Sequence, residues 1–197
     1  MHPYSIESSE RHRVPMVLAT IAVLIVYGLS TVVQRMEFAL PWWLSLPSVF
    51  GVYGLCYLLF DHWLWRTTLL RILLGIRTPD LSGSWKSNVE PAGDSFSSRE
   101  ANVEIRQTWT KLIVTLETEA SRSKSVVAAI AFLTPQRAEL VYEYSNEPKA
   151  GAVDSMHAHR GLARLVCTGE DEMEGEYFTG RDRGTYGALK LVRVVTG

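Results

Sequence analysis

Two arginines flanking one aspartate in a glycine-rich stretch are the most pointed chemistry in this sequence. The run Gly175-Glu176-Tyr177-Phe178-Thr179-Gly180-Arg181-Asp182-Arg183-Gly184-Thr185-Tyr186-Gly187 holds them. A guanidinium fork matches a phosphate bidentately, and glycines let a ligand approach the backbone closely. The stretch reads as a phosphate-reading corner or as a hairpin tip whose Asp182 is neutralised by Arg181 and Arg183. A second group is Met156-His157-Ala158-His159-Arg160-Gly161. On a strand His157 and His159 share a face, as two zinc ligands would, but no third ligand stands at a fixed spacing. One histidine lining a cavity, or both at a strand start in solvent, fits the spacing better, and no metal site is expected. The third group is aromatic: Trp109, Tyr142, Tyr144 and Tyr177. Such rings fill a core, or they stack nucleobases at about 1–3 kcal/mol per base. Arginines and aromatics in one cavity would suit a nucleotide; neither alone would. Catalysis is not supported. The sequence has no Gly-x-x-x-x-Gly-Lys loop, no Gly-x-Ser-x-Gly elbow and no CxxC pair. No enzyme activity, catalytic residue or cofactor is expected.

The elements that must carry these residues divide the chain. Between Val14 and Phe60 only Arg35 and Glu37 are charged. Val14 to Val33 is an uncharged run of 20 residues, about the length that crosses a ~30 Å hydrocarbon core. A second apolar run, Trp42 to Phe60, is bracketed by Trp42-Trp43 and by Trp63 and Trp65, which match interfacial belts. Pro47 bends it or marks its first turn. The short connection makes a helical hairpin, with spans at about 14–33 and 42–65. Arg11 and Arg13 precede the hairpin, Arg66, Arg71 and Arg77 follow it, and the turn has Arg35 alone. The positive-inside rule then places both termini in the cytoplasm. Thr67 to Ile76 reads as a short juxtamembrane helix, and Thr78-Pro79-Asp80 breaks it.

From Leu81 onward the pattern changes to period two. Val103, Ile105 and Trp109 alternate with Glu104, Arg106 and Thr108, and Leu140, Tyr142 and Tyr144 alternate with Glu139, Val141 and Glu143. Strands are expected near 81–90, 101–109, 111–119, 124–133, 137–145, 158–168, 172–179 and 185–195. Eight strands with short turns predict an all-β, antiparallel, up-and-down barrel, with a sandwich as the competing arrangement. The expected domains are a flank at 1–13, the hairpin at 14–66, a linker at 67–79 and the barrel at 80–197. Gly83-Ser84-Trp85 resembles the Gly-x-Trp opening of lipocalin-like barrels, in which the Trp closes the bottom under an Arg of the last strand; Arg193 is placed for this. Cys56 and Cys167 stand in different parts, so no disulfide framework is implied. A net charge of -1 excludes a generally basic nucleic-acid coat, and no DNA or RNA partner is expected.

The order of these features carries a family resemblance. A hairpin of two spans, then Asp80-Leu81-Ser82-Gly83-Ser84-Trp85, a His-x-His-Arg-Gly strand, and the Gly-x-Tyr-Phe-Thr-Gly-Arg-Asp-Arg ending resemble one group. It is the two-transmembrane, β-strand-rich effectors of bacterial cyclic-oligonucleotide-based anti-phage signalling (CBASS). The resemblance implies a cytoplasmic barrel that binds a cyclic dinucleotide made by a partner nucleotidyltransferase. It further implies ligand-driven homo-oligomerisation and disruption of the bacterial inner membrane by clustered spans. On that basis Arg181, Arg183 and His159 are expected at phosphate, and Tyr177, Tyr144 and Trp109 at the bases. The alternative is a membrane-tethered lipocalin-like module for a lipid or small apolar ligand.

Overall fold

A computed structural model describes residues 1–35, 48–91, 99–149, 157–169, 171–180 and 184–194. The chain divides into two compact units, Met1–Glu7 with Thr78–Gly197, and Ser8–Arg77.

The second unit is helical. Helix α1, Glu10–Arg35, has 26 residues and is long and apolar enough to cross a membrane. Many of its apolar side chains are exposed, among them Met16, Leu24, Tyr27 and Val32, while Val14, Leu18 and Ala22 are buried. Its hydroxyls are satisfied within the helix: Thr20 donates to Met16 O at 3.1 Å, Ser30 to Val26 O at 2.8 Å and Thr31 to Tyr27 O at 2.9 Å. That is what a medium without water requires. Helix α2, Val49–His62, starts on Ser48, whose Oγ accepts from Gly51 N at 3.1 Å. Its 14 residues end at His62, inside the stretch of about 42–65 expected for the second span. Trp42, Trp43 and Pro47 lie outside the described residues. Helix α3, Thr68–Leu74, leaves Leu69, Ile72 and Leu73 exposed. The ends of the unit are stapled together. The buried Glu10 carboxylate accepts from Arg77 N at 2.6 Å, and Arg13 donates to the carbonyls of Leu74 and Gly75 at 2.8 and 3.0 Å.

The first unit is a ring of strands: β1 His2–Ile6, β2 Gly83–Pro91, β3 Arg99–Gln107, β4 Lys111–Glu117, β5 Ser121–Thr134, β6 Arg137–Pro148, β7 His159–Cys167, β8 Glu172–Thr179 and β9 Tyr186–Arg193. Strands β2 to β9 occupy the eight stretches expected from the alternation. Consecutive ones pair antiparallel, and β9 returns to β2. The ring nevertheless has nine members, not eight. Strand β1 wedges between β4 and β5, parallel to β5 with Tyr4 opposite Ala128. Residues 2–6, expected in a flank, therefore belong to the sheet. A five-residue strand with Tyr4 as its one buried side chain shows no readable period. Above β1, β4 and β5 pair directly at Thr115–Glu117, and a bulge between Ser125 and Val127 accommodates the fork.

Tyr4 fixes β1. Its hydroxyl donates to Trp109 O at 2.8 Å and accepts from Gln107 Nε2 at 3.3 Å. Tyr4→Phe is expected to lower ring stability by about 1–3 kcal/mol, because a buried carbonyl loses a donor; denaturant unfolding checks it.

One end of the ring is closed. Trp85 is buried there, its indole N–H donates to Leu81 O at 3.1 Å, and the Arg193 guanidinium stands 4.3 Å from its ring centroid. Arg193 also donates to Ser82 O and Asp80 O and pairs with Asp171 at 3.1 Å. Gly83 has φ 132, a conformation that side chains avoid, with Arg193 pressed against its open face. The interior beside this end is packed with large apolar groups, including Ile105, Leu112, Ile130, Leu140, Leu165 and Leu191. Toward the far rim the inward side chains include Ser121, Ser125, Tyr144 and Asn146.

Candidate functional site: the far rim of the ring

Inward parity along three adjacent strands assembles the rim. In β6 it runs Leu140, Tyr142, Tyr144, Asn146; in β7 His159, Gly161, Ala163; in β8 Met173, Gly175, Tyr177. Tyr144 is paired across to Gly161 and Tyr177 to Gly187. A Cβ on Gly161 would lie 2.3 Å from the Tyr144 hydroxyl, and one on Gly187 would lie 2.8 Å from Tyr177 Cε1. Each glycine thus lets a phenol ring lie over the neighbouring backbone. His159 meets Tyr144 edge to face with centroids 6.4 Å apart, and Tyr142 tilts against Tyr144 at 6.3 Å. Tyr144 Oη donates to Phe178 O at 3.5 Å.

Of the residues expected to act together, Tyr144, Tyr177 and His159 meet at this rim. Trp109 does not. It is fully buried in the β3–β4 turn, at the opposite end, where its carbonyl accepts from Tyr4. The alternation through Val103 and Ile105 ends with the strand at Gln107, and parity cannot say which end a turn occupies. Trp109 is a packing residue of the closed end. Arg181 and Arg183 lie outside the described residues; beside them Gly184 N donates to Gly180 O at 3.0 Å. His157 is exposed, and among the described residues no group of three or more His, Cys, Asp or Glu could hold a metal ion.

Sequence reasoning missed buried polar residues on the inside of the ring. Asn146 is buried opposite His159, and its Oδ1 accepts from Ser123 Oγ at 2.7 Å. Ser87 is buried on β2 with its Oγ lacking a hydrogen-bond partner among the described residues. A polar residue at an inward position was the available signal: Asn146 extends the Tyr142–Tyr144 parity by one step. Around the rim, Lys149 is held by Glu117 at 2.8 Å and donates to Thr118 O at 2.8 Å. The hydrogen bond from Lys149 to Glu117, with the Lys149 charge, holds the Glu117 carboxyl below its usual range. Burial pushes the Tyr142 phenol up, so it stays a neutral hydroxyl.

Burial also pushes the Cys167 thiol up to about 11, against a smaller lowering by Arg193. The thiolate is the reacting form. Iodoacetamide is expected to label Cys167 in the folded chain only as pH climbs toward about 11. Because the folded value is raised, this thiol's contribution to stability is complete below its ordinary value of 9.0 and is lost as pH rises through about 11.

The model of the Cap15 cyclic dinucleotide receptor domain matches residues 76–193, and that of the Cap15 TM helices matches residues 12–66. This chain belongs to the Cap15 family. CD-NTase-associated protein 15 of Yersinia aleksiciae is 34% identical over 151 residues, covering 76% of this chain and 71% of that protein. The protein of that name from Staphylococcus schleiferi is 28% identical over 135 residues, covering 68% and 71%. The family resemblance drawn from the sequence, to the CBASS effectors, holds. The Cap15 receptor match spans β2 to β9 and so includes the whole rim, while β1 lies outside both matched ranges.

Proposed function

We propose that this chain is a CBASS effector in which the far rim of the ring grips a cyclic dinucleotide and the helices act on the inner membrane. The observation that carries it is the gathering of Tyr144, Tyr177 and His159 on inward positions beside the β8–β9 connection, which holds Arg181 and Arg183 in sequence. A cyclic dinucleotide has two phosphate charges and two base faces. Tyr144 and Tyr177 offer stacking surfaces, Arg181 and Arg183 offer guanidinium forks, and His159 with Asn146 offers polar edges. Both termini lie in the cytoplasm, where a cyclic-nucleotide synthase would release the ligand. Ligand binding favours an assembling state; about 5.5 kcal/mol of preference carries a 1:99 population to 99:1. Confinement to the bilayer raises the effective concentration of the helices, and their clusters break the membrane barrier.

The test is dye release from vesicles of phosphatidylethanolamine and phosphatidylglycerol holding the full chain. A cyclic dinucleotide from a panel of cyclic di-AMP, cyclic di-GMP and cyclic GMP–AMP analogues, with purine and pyrimidine members, is expected to release the dye. Arg181→Ala with Arg183→Ala is expected to abolish release. Release that ignores every cyclic dinucleotide, or that survives loss of both arginines, contradicts the reading.

A further inference from the structure

The outer surface of the ring carries an apolar row at the height of the rim. Leu162 on β7 pairs across to Phe178 on β8, and Phe178 pairs to Tyr186 on β9. They are 38%, 40% and 59% exposed. One step toward the closed end the same strands present Arg164 beside Glu176. We infer that this β6–β9 face docks a second copy of the chain about a two-fold axis running parallel to the strands between β7 and β8.

The register selects that axis. Such a rotation lays β7 of each copy over β8 of the other, lays β6 over β9, and keeps each row at its own height. Leu162 then meets the second copy's Phe178, and Arg164 meets the second copy's Glu176. In the outer columns Glu143 faces the second copy's Tyr186, by the pairings of β6 with β7 and of β8 with β9, while Glu139 is buried against its own Arg164 and takes no part in the contact. No like charges meet in these rows. Moving the axis onto β8 would stack Glu176 and Glu174 on their own counterparts, and moving it onto β7 would stack Arg164 on Arg164; like charges in contact oppose docking. Within one copy Arg164 already holds Glu139 at 3.2 Å, while Glu176 has no ion pair among the described residues. A second copy supplies the missing cation.

The face is small. Four strands about 4.8 Å apart and three rows about 6.8 Å apart cover roughly 400 Å² per copy. A stable stand-alone interface takes about 800 Å² per partner. The face therefore supports weak association that becomes effective where a membrane confines the copies. The inference rests on the proposed oligomerisation and gives it a surface.

Energy transfer between donor- and acceptor-labelled full-length chains in phosphatidylethanolamine–phosphatidylglycerol vesicles tests it, without ligand and with the cyclic dinucleotide panel. Arg164→Glu alone and Glu176→Arg alone are each expected to weaken association about tenfold, because like charges meet. An equal mixture of the two variants is expected to restore it, since every contact then joins opposite charges. Should Arg164→Glu unfold the ring by stranding Glu139, Phe178→Ser, which touches no ion pair, is expected to weaken association by the same order. A mixture no better than either variant alone overturns the inference, as does wild-type chain that shows no transfer under any condition. Melting of the same samples with ligand reports separately on the nucleotide reading. If the mixture rescues association and no cyclic dinucleotide raises the melting temperature, the interface stands and the ligand assignment falls.

Discussion

Trp85→Ala is expected to lower the stability of the ring by about 3–5 kcal/mol, the cost of emptying a buried indole site. The indole is 1% exposed, spends its N–H on Leu81 O, and carries the Arg193 guanidinium on its face. Removing it leaves a cavity between the first and last strands of β2–β9, where the ring closes. It also takes away the surface that orients Arg193 toward the carbonyls of Asp80 and Ser82 and the carboxylate of Asp171. Hydrogen exchange of the strand amides in the full chain measures the ring apart from the helices. Exchange faster by roughly 10²- to 5 × 10³-fold is the expected result. Arg193→Lys should cost less, since a lysine keeps the charge but not the flat stacked fork. Unchanged protection in Trp85→Ala would show that this end is not what closes the ring.

The second large effect falls on ligand affinity. Tyr144→Ala is expected to weaken cyclic dinucleotide binding by about 1–3 kcal/mol, roughly 5- to 150-fold, as the loss of one stacked base. Tyr144→Phe keeps the ring and gives up only a long 3.5 Å hydrogen bond to Phe178 O, so its affinity should stay near wild type. Gly161→Ala reaches the same end from the other side. Its Cβ would stand 2.3 Å from the Tyr144 hydroxyl and 2.4 Å from Phe178 O, so the phenol must leave its place and the backbone must shift. Trp109→Phe is the control. It alters a buried residue at the opposite end and should reduce stability without a selective loss of affinity. Equal affinity losses in Trp109→Phe and Tyr144→Ala would place the ligand elsewhere.

What could be read from the sequence follows the reach of each signal. Eight strands were legible because each alternates through several inward side chains, as Leu140, Tyr142, Tyr144 and Asn146 do in β6. Helix α1 was legible because an uncharged run of that length has few other uses. Strand β1 was not, since Tyr4 alone buries its side chain and its partners lie more than a hundred residues away. The bulge at Val126 was equally hidden: Val126 and Val127 both face outward, which breaks the alternation inside β5. Parity also says which face a residue takes and not which end, which is why Trp109 was grouped with the rim tyrosines and Asn146 was passed over. The Trp85–Arg193 stack was anticipated from the Gly-x-Trp resemblance, and the geometry agrees at 4.3 Å.

The central claim is that the tyrosine-lined rim holds a cyclic dinucleotide, and thermal unfolding of the full chain in detergent tests it most directly. Against cyclic dinucleotides and fatty acids in parallel, one cyclic dinucleotide at about a hundred times its dissociation constant should add about 2.7 kcal/mol of stability, and Tyr144→Ala should remove most of that gain. Stabilisation by fatty acids with none from any cyclic dinucleotide would contradict the account.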